Sequence, residues 1–391
     1  MSKQVLIAGA GMGGLSAAIA AARAGWQPLV LEQASEFNEA GAGIQLGPNA
    51  TRILQSWDLG AALARVASFP PRLMVRSAGN GEVLAQMPLG EAVGGRYGAP
   101  YATLHRADLH RLLLEGASSA GVEVMLGCAV RQVREAAEAV AVVTADGHEL
   151  AGAALVGADG LWSRVRQQLW SDSEPVPTGH LAYRTLLDQQ ELPPSLRSPD
   201  VTVWLGPQLH VVTYPVHLGE WLNVVAIVHG SLPGDPQAWD QSAAGADLQL
   251  ALGPTCAGLR ELVQAAGAWR LWVLHERPPI RGAQAMAHGR VALLGDAAHP
   301  MRPYLAQGAG MAIEDAQELG RCLAVPAPGV TDTATALRRY ALNRWERCAR
   351  VQRQAERNGR IFHATGPVQW GRDLSLRLLG ERLLDQPWLY R

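Results

Sequence analysis

At 391 residues the chain is long enough for two or three domains with a sizeable core, and 48% apolar with 18% charged residues is an ordinary balance for a water-soluble protein. A formal net charge of −1 leaves no basic surplus, so nucleic acid is not an expected partner. Four separated cysteines (Cys128, Cys256, Cys322, Cys348), with no CxxC and no histidine spacing suited to zinc, fit reduced thiols in a cytoplasmic protein without a metal.

The N-terminal "QVLIAGA" reads as a short apolar strand, "GGLSAAIAAARAG" as a small-residue helix and "QPLVLEQ" as a second strand carrying Glu32, together a βαβ unit. Glycines interrupt this apolar run and no charge-free span of about 18 residues follows, so neither a leader nor a membrane segment is expected. "NATRILQSWDLGAALARVA" is helical, with Asn49 as its cap. From Arg72 to Pro88 strands alternate around the turn "SAGNGE". "RADLHRLLLEGASSAG" is a helix closed by Gly121. Strands from "VEVMLGCAV" lead to a strand and turn at "LVGADG", then to a helix at "LWSRVRQQLW". Residues 179–275 are strand-rich, and the α/β pattern returns with "RVALLGDAAH". The basic tail is helical, with Ala341, Trp345, Cys348, Gln352 and Ala355 on one docked face.

This order predicts an α/β fold with a discontinuous nucleotide-binding domain (1–71, 97–178 and 276–332). A sheet-based substrate domain (72–96 and 179–275) is inserted into it, and a helical C-terminal region (333–391) follows.

"GAGMGG" supplies G-x-G-x-x-G at Gly9, Gly11 and Gly14, for a tight turn, a close backbone approach to pyrophosphate and close helix–strand packing respectively. The following helix start offers free N–H groups and a positive dipole end. Glu32, eighteen residues beyond Gly14, is placed to accept hydrogen bonds from a ribose. The motif alone leaves FAD and NAD(P) both open.

Two further segments, "GADGLWSRVRQQL" (157–169) and "GDAAHPMRPYLAQGAGMAIEDA" (295–316), follow in order. With "GAGMGG" they resemble the three fingerprints of the single-component, class A FAD-dependent aromatic hydroxylases. "GAGIQLGPNATRIL", "LHRADLHRLL" and "RNGRIFHATGP" extend the likeness along nearly the whole chain. The resemblance implies a Rossmann-like FAD domain of the glutathione-reductase type. It also implies NAD(P)H as co-substrate without a second dinucleotide domain, and hydroxylation by O2 through a flavin C4a-hydroperoxide. By the same resemblance Asp296 meets the FAD ribityl or ribose, Arg106 lies along the pyrophosphate, and Asp159 with Arg166 supports FAD and NAD(P)H. Backbone N–H groups at Gly308, Ala309 and Gly310 would stabilise charge on reduced flavin, and Pro303 would sit at the flavin edge. Met311 departs from the asparagine of many relatives.

"LHVVTYP" places His210 and Tyr214 four apart, on one face of a strand. It resembles the substrate strand of the salicylate, 3-hydroxybenzoate and hydroxynicotinate hydroxylases, which implies His210 as base or phenol partner and Tyr214 as a substrate contact. Gln45, in a loop beside the isoalloxazine by the same likeness, tilts the reading towards a benzoate-type substrate. Arg184 and Arg302 are the cations available for a substrate carboxylate, and His299 braces its motif. The reading is thus a hydroxylase of a small phenolic acid. A pyridine or quinone-precursor hydroxylase, and a flavin-binding sensor without turnover, stand as alternatives. Monomer and homodimer are both open.

Overall fold

Strands buried on both faces need continuous apolar runs, and "VLIA", "LVL" and "ALVG" provide them at the centre of a six-stranded sheet. In the computed structural model, which describes residues 3–37, 42–136, 138–170, 174–231, 241–324 and 332–391, Gln4–Ala8 pairs in parallel with Ala154–Gly157 on one side and Gln27–Leu31 on the other. Val291–Leu293 and Glu123–Met125 extend the sheet outwards, and Ala287–His288 closes one edge antiparallel. The helix Met12–Arg23 crosses this sheet and packs on the helix Gly308–Ala324. Small residues permit that approach: a Cβ on Gly320 would lie 2.8 Å from the Ala20 carbonyl oxygen. These elements, with a three-stranded meander from Val130 to Gly152, belong to the first of two compact units (Met1–Glu39, Leu109–Pro175, Arg277–Ala355).

The second unit (Ala40–Asp108, Val176–Glu276, Glu356–Arg391) is built on an eight-stranded sheet. Its central strands are Val176–Asp188, Trp221–His229, Leu209–Val216 and Val201–Gly206, and the hairpin Arg72–Ser77/Val83–Pro88 continues one edge. Alternation sorts the two faces. Leu181, Tyr183, Leu209, Val211, Val224, Ala226 and Val228 point to one face and bury against the helices Gly245–Leu252 and Ala257–Gln264. The opposite face carries His180, Arg184, His210, Tyr214 and Asn223, an unusually polar set for the inside of a sheet.

The stretches 42–71 and 97–108, assigned by sequence to the nucleotide-binding domain, lie in this second unit, and the C-terminal region divides between the two units. The cause is a non-local pairing. Gly43–Leu46 joins Ala102–His105, and both reach the substrate-sheet strands through Gly43 to Asn223 and Thr103 to the Pro215 carbonyl. Asn49 is no cap: Pro48 opens its helix after Gly47, as a residue with fixed φ suits the first helical position, and Asn49 is buried in the first turn. That helix stops at Ser56, and a separate one spans Gly60–Ala64. No helix among the described residues is long and apolar enough to cross a membrane.

Candidate functional site

In the first unit the glycine loop has little freedom. Gly9 adopts φ +96°, and a Cβ on Gly14 would stand 1.8 Å from the Gly9 carbonyl oxygen. At Gly11 the same construction meets no atom within 4 Å, leaving open space beside the start of the helix Met12–Arg23. That start has no side-chain cap and no acid in its first turn, so its N–H groups and dipole favour an anion. Glu32 accepts from the backbone N–H groups of Ala10 at 2.7 Å and Ala34 at 2.9 Å. Each carboxylate oxygen keeps a second lone pair for a ribose. His110, which the sequence reading missed, bonds the Ala10 carbonyl at 2.8 Å and braces the loop from the other side.

The 157–169 segment is organised as a helix start. Asp159 accepts from the Ser163 hydroxyl at 2.5 Å and from the N–H groups of Arg164 at 2.7 Å and Val165 at 3.1 Å. The Arg166 guanidinium donates to the carbonyls of Ala297 at 3.0 Å and Ala298 at 2.8 Å, tying this helix to the Gly-Asp turn. On that turn Asp296 is exposed, as is Pro303 further along.

Under the turn lies a buried ionic network. His299 meets Asp315 at 2.5 Å; Asp315 also accepts from the Gly295 N–H at 3.1 Å and from Arg344 at 2.8 Å. Arg344 and Arg347 then both bind Glu314. Burial alone disfavours the His299 imidazolium, but neighbouring Cys348 and Asp315 overcome this and hold its pKa well above the ordinary histidine value. Asp315 is the anion that counts at neutral pH, because burial pushes the Cys348 thiol up. His299 thus braces the turn from a fully buried position, and Arg344 is buried beside the tail-helix face that the sequence assigned to Ala341, Trp345, Cys348, Gln352 and Ala355.

The helix Gly308–Ala324 begins with Gly308, Ala309 and Gly310, again with no acid in its first turn, which suits negative charge. Met311 is fully buried, with its sulfur 4.0 Å from the Arg344 guanidinium, so its side chain belongs to the interior. Ala306, just before this helix, holds φ +51°, a conformation costing an L-residue about 1–2 kcal/mol. Ala306→Gly is therefore expected to stabilise the protein by about 1 kcal/mol, a rise in Tm of roughly 2 °C. A Tm unchanged or lowered would show that the turn is not strained.

In the second unit Gln45, Tyr101, Tyr214, Asn223 and Arg184 converge. Tyr101 donates to the Gln45 side-chain oxygen at 2.7 Å, and the Gln45 amide also bonds Tyr214. Asn223, cross-strand partner of Tyr214, accepts from the Gly43 N–H at 2.7 Å, while its buried amide nitrogen has no hydrogen-bond partner among the described residues. A Cβ on Gly43 would collide with Tyr214 and Asn223 at 2.5–2.7 Å, so the loop is seated by its glycine. Arg184 stacks on Trp272 at 3.5 Å, and its buried Nε likewise lacks a partner. Burial lowers its pKa to about 9, with Tyr214 favouring the charged form and Arg106 opposing it. A buried guanidinium in such surroundings would welcome an anion.

His210, expected as base or phenol partner, lies among other histidines. It is 2% exposed and its Nδ1 lies 2.7 Å from Nε2 of His363. Burial, reinforced by His180, depresses its pKa to about 3. Burial pushes Tyr214 well above the usual phenol range. Tyr101, Asn223, Trp272 and His363 escaped the sequence reading because their partners are remote in the chain; only the alternation of the strands hinted at a shared face.

A model of the FAD binding domain family matches residues 2–227 and 257–355. The chain is 38% identical over 390 residues to a 3-hydroxybenzoate 6-hydroxylase of Polaromonas naphthalenivorans, covering 99% of this chain and 95% of that protein. It is also 38% identical over 388 residues to a 3-amino-4-hydroxybenzoate 2-monooxygenase of Streptomyces platensis, covering 99% and 95%. Among solved structures, Klebsiella pneumoniae HpxO complexed with FAD and uric acid superimposes with a TM-score of 0.85 at 26% identity, over 97% of this chain and 94% of that one.

Proposed function

Since this chain belongs to the FAD binding domain family and is a flavin-dependent aromatic monooxygenase, we propose that it hydroxylates a small phenolic acid of the salicylate or hydroxybenzoate type, with NAD(P)H and O2 as co-substrates. The observation that carries the choice of substrate is the buried Arg184 guanidinium over Trp272, a cation suited to an aromatic ring bearing a carboxylate.

The open cradle at Gly11 and the two acid-free helix starts fit the phosphates and the pyrimidine edge of FAD, with Gly9, Gly14, Glu32, Asp159 and Asp296 shaping that site. Bound FAD supplies the reduction of O2 and the transfer of one oxygen atom to the ring. The rest falls to the chain. Arg184, flattened on Trp272, pairs with the substrate carboxylate, and its planar fork fixes the ring's direction. Tyr214, held by Gln45, stays protonated at neutral pH and donates to the substrate through its Oη. Asn223 offers the amide N–H that has no partner among the described residues.

His210 then polarises the phenol rather than storing its proton. With Nδ1 engaged by His363, Nε2 is the nitrogen assigned to accept from the phenol O–H. A group with a pKa near 3 stays neutral throughout the working range. The pH–rate profile should accordingly show no limb at pH 6–7 that His210→Gln removes. Purified holoenzyme should oxidise NADH or NADPH faster when 3-hydroxybenzoate or salicylate is added, with a ring-hydroxylated product. No response to any phenolic acid, but a response to neutral phenols, would overturn the substrate class.

A further inference from the structure

The polar face of the second unit's sheet holds a cluster that the hydroxylase reading leaves unused. His180 and His229 are direct cross-strand partners with ring centroids 4.5 Å apart. His363, from the turn after the long C-terminal helix, adds a third imidazole 4.8 Å from His180 and 5.1 Å from His229. One nitrogen from each of the three lies within 4.8 Å of the others. His180 and His363 are 6% exposed, whereas His229 stands at the surface and opens the cluster to solvent.

From this geometry we propose that His180, His229 and His363 form a binding site for a divalent transition metal of the Zn2+ or Cu2+ type. Imidazole is the ligand such ions prefer, and three histidines with a fourth position open to water are a complete protein donor set. Metal–nitrogen bonds of about 2.0–2.1 Å require nitrogens about 3.3 Å apart, so side-chain rotations closing a gap of about 1.5 Å assemble the site. His363 would ligate through Nδ1, because its Nε2 is hydrogen-bonded to Nδ1 of His210 at 2.7 Å. A bound ion would pin the turn carrying His363 to the sheet. With Nδ1 on the metal, the Nε2–H of His363 donates to His210 Nδ1 and puts the His210 proton on Nε2, so metal would turn His210 from acceptor to donor towards the phenol. That coupling rests on the role proposed for His210; the metal site itself does not.

The test is calorimetric titration of tag-free, FAD-loaded protein with ZnCl2, together with electron paramagnetic resonance of a stoichiometric Cu2+ sample. One Zn2+ per chain should bind, with nitrogen hyperfine structure on the Cu2+ signal. His229→Ala should weaken Zn2+ binding by at least about 100-fold, as loss of one of three ligands requires, with FAD content unchanged. His180→Asn should do the same. Absence of one-equivalent binding, or equal binding by wild type and both variants, would overturn the proposal. Neither readout depends on turnover, so failure of the phenolic-acid reading would leave this result standing. In turnover assays Zn2+ should shift the KM of wild type and not that of His229→Ala.

Discussion

Arg184→Ala is expected to raise the KM for a hydroxybenzoate by about 100-fold while changing that for the matching phenol without a carboxylate by less than about threefold. A charge-assisted, partly desolvated hydrogen bond is worth about 2–5 kcal/mol when one partner is truncated, and 1.4 kcal/mol is a factor of ten. Among the described residues Arg184 has no carboxylate partner; it stacks on Trp272 and its charge is disfavoured by burial, so an incoming carboxylate relieves its environment. Arg184→Lys should recover only part of the loss, since an ammonium lacks the planar fork. Paired steady-state measurements on the two substrates check this. Equal losses on both would mean that Arg184 supports the fold rather than the carboxylate.

The second large effect concerns stability. Asp315→Ala leaves His299 and Arg344 buried without their shared anion, and breaking one side of a buried pair costs about 3–5 kcal/mol. The Gly295 N–H loses its acceptor at the same time, so the turn bearing Asp296 loosens and FAD retention should fall with stability. Denaturant unfolding and flavin content per chain measure both; a loss under about 1 kcal/mol would show the network to be incidental. The pH dependence has a definite sign. Burial raises the Asp315 pKa, but His299 and Arg344 reverse this, and the net shift is downward. Its contribution is therefore present above the unfolded value near 3.9 and is lost as pH falls towards the folded one. His299 is shifted upward, so its contribution is complete below about 6.5 and is lost as pH rises through the folded pKa. This pair thus stabilises most between about pH 4 and 6.5, and Asp315→Ala should flatten both flanks.

The nucleotide-binding half was legible because its signals are local. Gly9, Gly11, Gly14 and Glu32 lie within one βαβ unit, and the turn, cradle and acid occur where spacing put them. The pairing of Gly43–Leu46 with Ala102–His105 was invisible, since nothing in either tetrapeptide names its partner. The same holds for His363, which reaches His210 across 153 residues and changes its chemistry. His210 illustrates the limit well: alternation correctly put it on one face with Tyr214, but its pKa is decided by burial among other histidines. Arg344 is another case, because helical periodicity marks a buried face without saying that a carboxylate waits there. Ala306 gave no signal at all, because alanine in a left-handed turn contradicts its own preference.

The central claim, oxygen transfer to a phenolic acid, is tested most directly by single-turnover and steady-state reactions under 18O2 with a hydroxybenzoate, scoring product against NAD(P)H consumed. The expected product is a ring-hydroxylated acid carrying one 18O atom, formed in near one-to-one ratio with NAD(P)H oxidised. Hydrogen peroxide in that ratio, with no labelled ring product from any phenolic acid, would contradict it.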